Sequence, residues 1–172
     1  MDDDDFNWNY GLSLVAAEEF ETAEEVLLRV NDTNYKNELC YLSSLCRSYI
    51  MNGKPENAWD LQSSSILVKS DSISLLQLIA DDCYHTRYFA VAARAFDALN
   101  GIDSSKYVDP LVCSCVGAFA ELSQQDIRSS LEVEAITIEI IGFLQKYEGN
   151  DRIISMIKEW KKSKKSIVRL QN

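Results

Sequence analysis

Residues 46–59 include Cys46-Arg47-Ser48-Tyr49-Ile50-Met51-Asn52-Gly53-Lys54-Pro55, followed by Ala58-Trp59. Gly53 and Pro55 mark a turn, because glycine ends helices and proline suits the first turn of the next one. Cys46 and Ala58 are small residues on either side of that turn, and small residues allow two helices to approach closely. The stretch therefore predicts a helix-turn-helix hairpin.

The same frame recurs before and after this hairpin. Ala23, Ala58 and Ala92 are separated by 35 and 34 residues, and a small residue precedes each alanine by 12 positions. The three small residues are Gly11, Cys46 and Ala80. A period near 34 is typical of the tetratricopeptide repeat, a helix hairpin that stacks on copies of itself. We therefore expect an all-α fold, a short right-handed tetratricopeptide-repeat solenoid with a C-terminal helical cap.

The frame also predicts the helix boundaries and the organisation of the chain. Helices are expected over residues 8–17, 22–30, 38–51, 56–67, 73–84, 90–100, 110–122, 131–147 and 151–164. The segment 131–147 is ambiguous, because Ile136, Ile138 and Ile140 alternate with polar residues as in a strand, but its length favours a helix. We predict three repeats over residues 6–104, the helical cap over 105–165, and flexible tails at 1–5 and 166–172.

The composition excludes several classes of protein. A net charge of −10 over 172 residues argues against nucleic-acid binding, since phosphates would meet like charge. No apolar run approaches the roughly 20 residues that span a bilayer, so no transmembrane segment is predicted. The acidic start is unlike a secretory signal, which favours a cytoplasmic protein. The five scattered cysteines are expected to be reduced and buried.

The sequence offers little for catalysis, and we predict that the chain is not an enzyme. A metal site is not expected, because the chain has 1 histidine and no Cys-x-x-Cys pair. Asp81 and Asp82 are adjacent on a predicted helix, so their side chains diverge by about 100° and cannot converge on one substrate. No glycine-rich phosphate loop or nucleophile elbow occurs, and no cofactor is expected.

The first helix of each repeat is the candidate for binding a partner, because it lines the inner surface of such solenoids. The predicted partner-binding residues are Trp8, Arg47, Gln77, Asp81 and Tyr84. The alternative interpretation is that these side chains are simply solvated. The Lys, Arg and Asn that would clamp a C-terminal carboxylate are absent from their places, which disfavours the tails of heat-shock chaperones as ligands.

Several motifs go beyond a generic repeat. They are Phe6-Asn7-Trp8-Asn9-Tyr10-Gly11, the run 46–55 with Ala58-Trp59, Ser74-Leu75-Leu76-Gln77-Leu78-Ile79-Ala80-Asp81-Asp82-Cys83-Tyr84, Ala95-Phe96-Asp97, Cys115-Val116-Gly117-Ala118-Phe119, and Ile153-Ile154 to Trp160. In these motifs the chain resembles the C-terminal part of the tetratricopeptide-repeat subunit of intraflagellar transport complex B. It departs from that pattern at 63–71 and 124–149.

The resemblance implies a non-catalytic adaptor of the cilium or flagellum and its base. Its expected partners are other subunits of the transport complex and axonemal motility cargo proteins. Family members are longer, so the resemblance implies a shortened form or an excised C-terminal piece. The alternative function is a generic tetratricopeptide adaptor whose basic C-terminal tail, from Lys158 onward, tethers it to an acidic surface such as a membrane or tubulin tails.

Overall fold

A computed structural model describes residues 3–103, 106–124 and 130–170. Within these ranges the chain forms helices and no strand. The helices are α1 (Asp4–Ala16), α2 (Phe20–Leu27), α3 (Thr33–Lys36), α4 (Leu39–Met51), α5 (Pro55–Ser64), α6 (Lys69–His85), α7 (Phe89–Ile102), α8 (Val108–Gln124), α9 (Ser130–Gln145) and α10 (Asp151–Leu170). In the described part of the chain, no helix is both long and apolar enough to cross a membrane.

The helices stack in the order of a repeat solenoid. Neighbours pair as α1 with α2, α4 with α5, α6 with α7 and α8 with α9. The second helix of each pair also packs on the first helix of the next, as α2 does on α4, α5 on α6 and α7 on α8. The final helix α10 packs on α9. The predicted all-α repeat solenoid is confirmed.

The three alanines lie at the centre of this packing. Ala23, Ala58 and Ala92 are completely buried. Inside the second pair, the Cys46 thiol lies 3.6 Å from the Ala58 carbonyl oxygen. In the first pair, a Cβ built on Gly11 would lie 2.5 Å from Leu27 Cδ2, so α1 and α2 are too close there for any larger residue. Small residues at these places set the spacing between the helices.

The turn inside each of the first three pairs has the same backbone geometry. Glu18, Gly53 and Arg87 have positive φ values of 62°, 78° and 68°. These residues lie 35 and 34 positions apart, so the left-handed residue recurs with the repeat. The N–H that follows donates back to the helix just ended, in the Schellman arrangement. These bonds join Glu19 N to Leu14 O, Lys54 N to Tyr49 O, and Tyr88 N to Cys83 O, at 2.9, 2.8 and 2.8 Å.

Charged side chains join neighbouring repeats. Arg94 of α7 donates to Glu139 of α9 at 2.6 and 3.1 Å, and it also donates to Glu56 of α5. One guanidinium therefore links the second helices of three successive pairs. Nearer the N-terminus, buried Glu24 of α2 accepts 2.7 Å hydrogen bonds from Asn52 and Lys54, which follow α4.

Helix α10 closes the C-terminal end. Ile154 and Ile157 are buried, and the Trp160 ring meets Phe119 of α8 edge-on with 5.4 Å between ring centres. The buried Asn150 amide precedes α10 and donates to the carbonyl oxygens of Leu144 and Tyr147, which fixes the turn after α9. The predicted division into three repeats and a cap stays a prediction, but the segment assigned to the cap contains the further pair α8–α9 as well as α10.

Several boundaries differ from those predicted. The expected tail 1–5 is shortened, because α1 begins at Asp4 and the Asp3 carboxylate accepts the N–H of Asp5 as its N-cap. The expected tail 166–172 is likewise largely helical, since α10 continues to Leu170 and 171–172 lie outside the described residues. Helix α5 ends at Ser64 rather than at residue 67, α6 begins four residues before the predicted start at 73, and the short α3 is not predicted.

Candidate partner-binding surface

The predicted partner-binding residues lie on α1, α4 and α6, the first helices of the first three pairs. Gln77, Asp81 and Tyr84 are four and three residues apart on α6, so they share one side of that helix. Arg47 lies on α4, which packs against α6. Because α1 also packs on α4, the structure places all five predicted residues on adjoining helices.

Arg47 ties α4 to α6 through an ion pair. Its Nε donates to Asp82 Oδ2 at 2.8 Å, and its Nη2 lies 3.4 Å from Oδ1. The Asp82 side chain retains 15% of its exposure and that of Arg47 retains 42%. The guanidinium therefore stays reachable from solvent at one edge while its position is fixed by the carboxylate.

The three α6 residues present different chemistry. Gln77 is half-buried and donates from Nε2 to the Tyr107 hydroxyl at 2.6 Å, which anchors the segment before α8. Asp81 is exposed on this side of the helix. Tyr84 is 37% exposed and contacts the rings of Phe89 and Phe96 edge-on, at 5.5 and 6.4 Å. This face offers one carboxylate and one supported aromatic ring to a partner.

Trp8 is placed differently from the other four. Its ring lies 4.9 Å from the Tyr35 ring and stacks on Tyr41 at 5.9 Å. The Tyr35 hydroxyl in turn bonds Asp5, and the Tyr41 hydroxyl donates to the Leu27 carbonyl oxygen at 3.0 Å. Trp8 is thus half-buried in contacts within the chain and contributes mainly to the packing of α1 on α3 and α4.

Comparison with known proteins identifies the family. A family model described as "Intraflagellar transport protein 56" matches residues 1–169. The chain belongs to this family. It is also 25% identical over 158 residues to an "Intraflagellar transport protein 56 homolog" of Caenorhabditis elegans, a match that covers 91% of this chain. The chain spans about a quarter of that relative, 27% of its length. The family recognised from the sequence motifs is confirmed.

The buried thiols of this family member are held in their neutral form. Burial raises the pKa of Cys46, Cys83 and Cys115 to about 12 each. A thiolate is the form that attacks or binds metals, so these thiols are chemically quiet at neutral pH. Cys40 and Cys113 are exposed, which corrects the expectation that all five cysteines are buried. Among the described residues no group of three or more His, Cys, Asp or Glu side chains is placed to hold a metal ion.

Sequence reasoning missed two residues that shape this surface. Asp82 was judged only as a poor catalytic partner of Asp81, yet it is the carboxylate that holds Arg47. Arg47 and Asp82 are 35 residues apart, which is one repeat. The repeat period is therefore the sequence signal that could have predicted this contact between equivalent helices. Tyr107 lies beyond the repeat frame, so no periodic signal pointed to its contact with Gln77.

Proposed function

We propose that the chain is a non-catalytic protein-binding scaffold of the intraflagellar transport B particle. The match of residues 1–169 to the family carries this proposal. The repeat architecture supports it, because stacked helix pairs build extended surfaces that bind other proteins. The surface of α4 and α6 has one carboxylate and one aromatic ring held by contacts from neighbouring helices, which suits recognition of a partner better than proton transfer.

The partners proposed for this scaffold are other subunits of the transport complex and axonemal motility cargo. The proposed location is the cilium or flagellum and its base. Support comes from the family, whose description names intraflagellar transport. The proposed binding residues are Arg47, Gln77, Asp81 and Tyr84, with Trp8 acting through the packing of α1.

The tether is the less supported alternative. Its basic segment is part of a packed helix, in which Lys161 pairs with Glu134 at 2.5 Å and the Lys164 amine lies 5.9 Å from the centre of the Trp160 ring. Cations that serve contacts inside the chain are less available to an acidic surface. Binding of the purified chain to anionic vesicles that is lost on truncation after residue 160 would favour the tether over the scaffold.

The scaffold is tested in ciliated cells with the protein that contains this chain. We expect it to co-sediment with the transport particle, and we expect Asp81→Lys together with Tyr84→Ser to weaken that association about tenfold, as loss of one strong contact does. Asp60→Lys, on the exposed side of α5, is the matched control and should co-sediment normally. Failure of the unaltered protein to co-sediment would refute the scaffold, and equal behaviour of the double variant and the control would refute the surface.

A further inference from the structure

Three exposed side chains of different chemistry share one side of α6. Tyr84 and His85 follow Asp81 by three and four residues, the spacing that places helical side chains next to one another. The Tyr84 and His85 rings meet edge-on, with 6.2 Å between ring centres. Asp81 and Tyr84 belong to the surface described above, and His85 adds a third group to it. We call Asp81, Tyr84 and His85 the α6 cluster.

The orientation of the His85 ring is fixed by its own helix. Its Nδ1 lies 2.7 Å from the backbone carbonyl oxygen of Asp81. Because a carbonyl oxygen can only accept a hydrogen bond, Nδ1 carries a proton and donates. In a neutral imidazole the other nitrogen, Nε2, is then unprotonated and accepts hydrogen bonds. The exposed His85 ring therefore offers an acceptor to a partner, from a position that the backbone holds.

The Asp81 side chain is open to a cation from another molecule. Within residues 3–103, 106–124 and 130–170 its carboxylate takes part in no ion pair or hydrogen bond. Arg47, at the equivalent position of α4, directs its Nε and Nη2 to Asp82. Arg87, six residues after Asp81, lies 3.4 Å from Glu121. These two guanidinium groups are thus engaged by other carboxylates.

The acceptors of the α6 cluster suit an ammonium group. The Asp81 carboxylate and His85 Nε2 can each accept one of the three N–H bonds of a lysine ammonium, and the Tyr84 ring attracts a cation. Arginine has a rigid planar fork that matches the two oxygens of a single carboxylate. Acceptors on two separate side chains therefore favour lysine over arginine. An acidic peptide would bring like charge to Asp81.

Met51 provides an apolar surface on the neighbouring helix. It precedes His85 by 34 residues, so it holds the equivalent position at the end of α4, which packs on α6. Its side chain is 39% exposed. Lysine places its methylene groups along apolar surface while its ammonium reaches a polar group. Met51 beside the α6 cluster thus fits the long apolar part of the same side chain.

We propose that the α6 cluster binds a lysine side chain of another protein. The ammonium lies between the Asp81 carboxylate and His85 Nε2, and the methylene groups lie towards Met51. This inference rests on the proposed scaffold function and specifies the partner's chemistry at the α4 and α6 surface. His85 is in this view a further binding residue, with a role that its ring orientation prepares.

Carbodiimide crosslinking tests the inference in the protein that contains this chain, on material that co-sediments with the transport particle of ciliated cells. The reagent joins a carboxylate to an amine in direct contact, so mass spectrometry should find Asp81 bonded to a lysine of another protein. His85→Phe keeps a ring but removes the acceptor and should lower the yield of this crosslink about tenfold. His85→Gln retains an acceptor and should stay within about twofold of the unaltered protein. Asn57→Phe, at an exposed position of α5, is the matched control and should change nothing.

The outcomes separate this inference from the scaffold function. Co-sedimentation without a crosslink from Asp81, or with a crosslink only to a lysine of the same protein, overturns the inference and leaves the scaffold standing. Equal yields from His85→Phe and Asn57→Phe also overturn it, as does a loss in His85→Gln as large as that in His85→Phe. Failure of the unaltered protein to co-sediment overturns both. His85 and Asn57 are exposed, so unchanged melting temperatures should show that all three variants fold.

Discussion

The two ends of the described helix stack differ in how far their apolar side chains are buried. At the C-terminal end α10 buries Ile154 and Ile157 and sets Trp160 on Phe119. At the N-terminal end, the rings of Phe6 and Tyr10 on α1 contact each other but remain 59% and 41% exposed. Phe6 and Tyr10 thus leave an apolar surface at this end, whereas Trp8 between them in the sequence is half-buried.

This difference shows how the apolar face at an end of a helix stack can be covered. Each helix pair buries one face against the next pair, so a terminal face stays apolar unless another element covers it. Helix α10 covers the C-terminal face with Ile154 and Ile157, whereas Arg152, Lys158 and Lys162 on the same helix are exposed. Helix α1 packs on α2 and α4, and its Trp8 also contacts Tyr35 of α3. Substitutions in α10 are therefore expected to cost more stability than substitutions at the exposed ring pair of α1.

Alkaline pH is expected to produce the largest loss of stability, because it deprotonates buried thiols in both halves of the stack. Cys46, Cys83 and Cys115 have pKa values raised from 9.0 to about 12 by burial. The folded state holds these protons more tightly than the unfolded state, so their stabilising contribution is complete below about pH 9 and is lost as the pH rises towards 12. Urea unfolding at pH 8 to 11 should show a free energy of unfolding that falls as the pH rises. A free energy of unfolding that stays constant above pH 9 would contradict the raised pKa values of the three thiols.

Ile157→Ala is the most direct way to break the C-terminal end. Ile157 of α10 is fully buried, so its truncation should lower the free energy of unfolding by about 2–5 kcal/mol. Met156→Ala is the neighbouring control, because Met156 is 54% exposed and a surface change should stay within about 0.5 kcal/mol. Phe6→Ala at the other end should resemble the control. Chemical denaturation measures all three, and equal losses for Ile157 and Phe6 would erase the contrast between the ends.

Gly11→Ala tests the packing of the N-terminal pair away from its exposed rings. The new Cβ would lie 2.5 Å from Leu27 Cδ2, and Leu27 is fully buried, so overpacking should cost about 1–3 kcal/mol. Gly142→Ala, with nothing near its Cβ, should instead stabilise the protein by about 0.5–1 kcal/mol. Thermal and urea unfolding compare the two variants. A stabilised Gly11→Ala protein would mean that α1 and α2 are not in close contact.

The repeat fold could be predicted because small residues recur along the sequence at the repeat period. Small residues at Gly11, Cys46 and Ala80 and the three alanines recur at one spacing. The length of the segment 131–147 favoured a helix although its isoleucines alternate, and the structure confirms the helix. Ile140 is buried while Ile138, two residues before it, is exposed, whereas a strand would place both on one face. Helix continuity to Leu170 was missed, since a run of lysines and arginines resembles a solvated tail whether or not one side of it is packed.

The candidate surface was less predictable than the fold. Asp81 and Tyr84 lie as expected on an exposed side of α6, because helical spacing alone places them there. The position of Trp8 depends on Tyr35 of α3, a short helix outside the repeat frame, so no periodic pattern could place it. The hydrogen bond from Gln77 to Tyr107 likewise joins two residues without a shared frame. Contacts with residues outside the repeat frame need three-dimensional placement, whereas contacts between residues inside the frame follow from spacing.

The smallest expected effect concerns the turn next to the N-terminal end. Glu18 holds a left-handed conformation with φ of 62°, which crowds its Cβ against the following carbonyl and should cost about 1–2 kcal/mol relative to glycine. Glu18→Gly should therefore raise the stability of the α1–α2 pair by roughly 1 kcal/mol, after the added freedom of the unfolded glycine is subtracted. Gly53→Ala, at the equivalent turn with φ of 78°, is the reciprocal change and should destabilise by a similar amount. Amide hydrogen exchange in α1 and α2 resolves the local effect. Faster exchange in Glu18→Gly would show that this turn is not strained, and the difference between the two ends would then rest on the exposed rings of α1 alone.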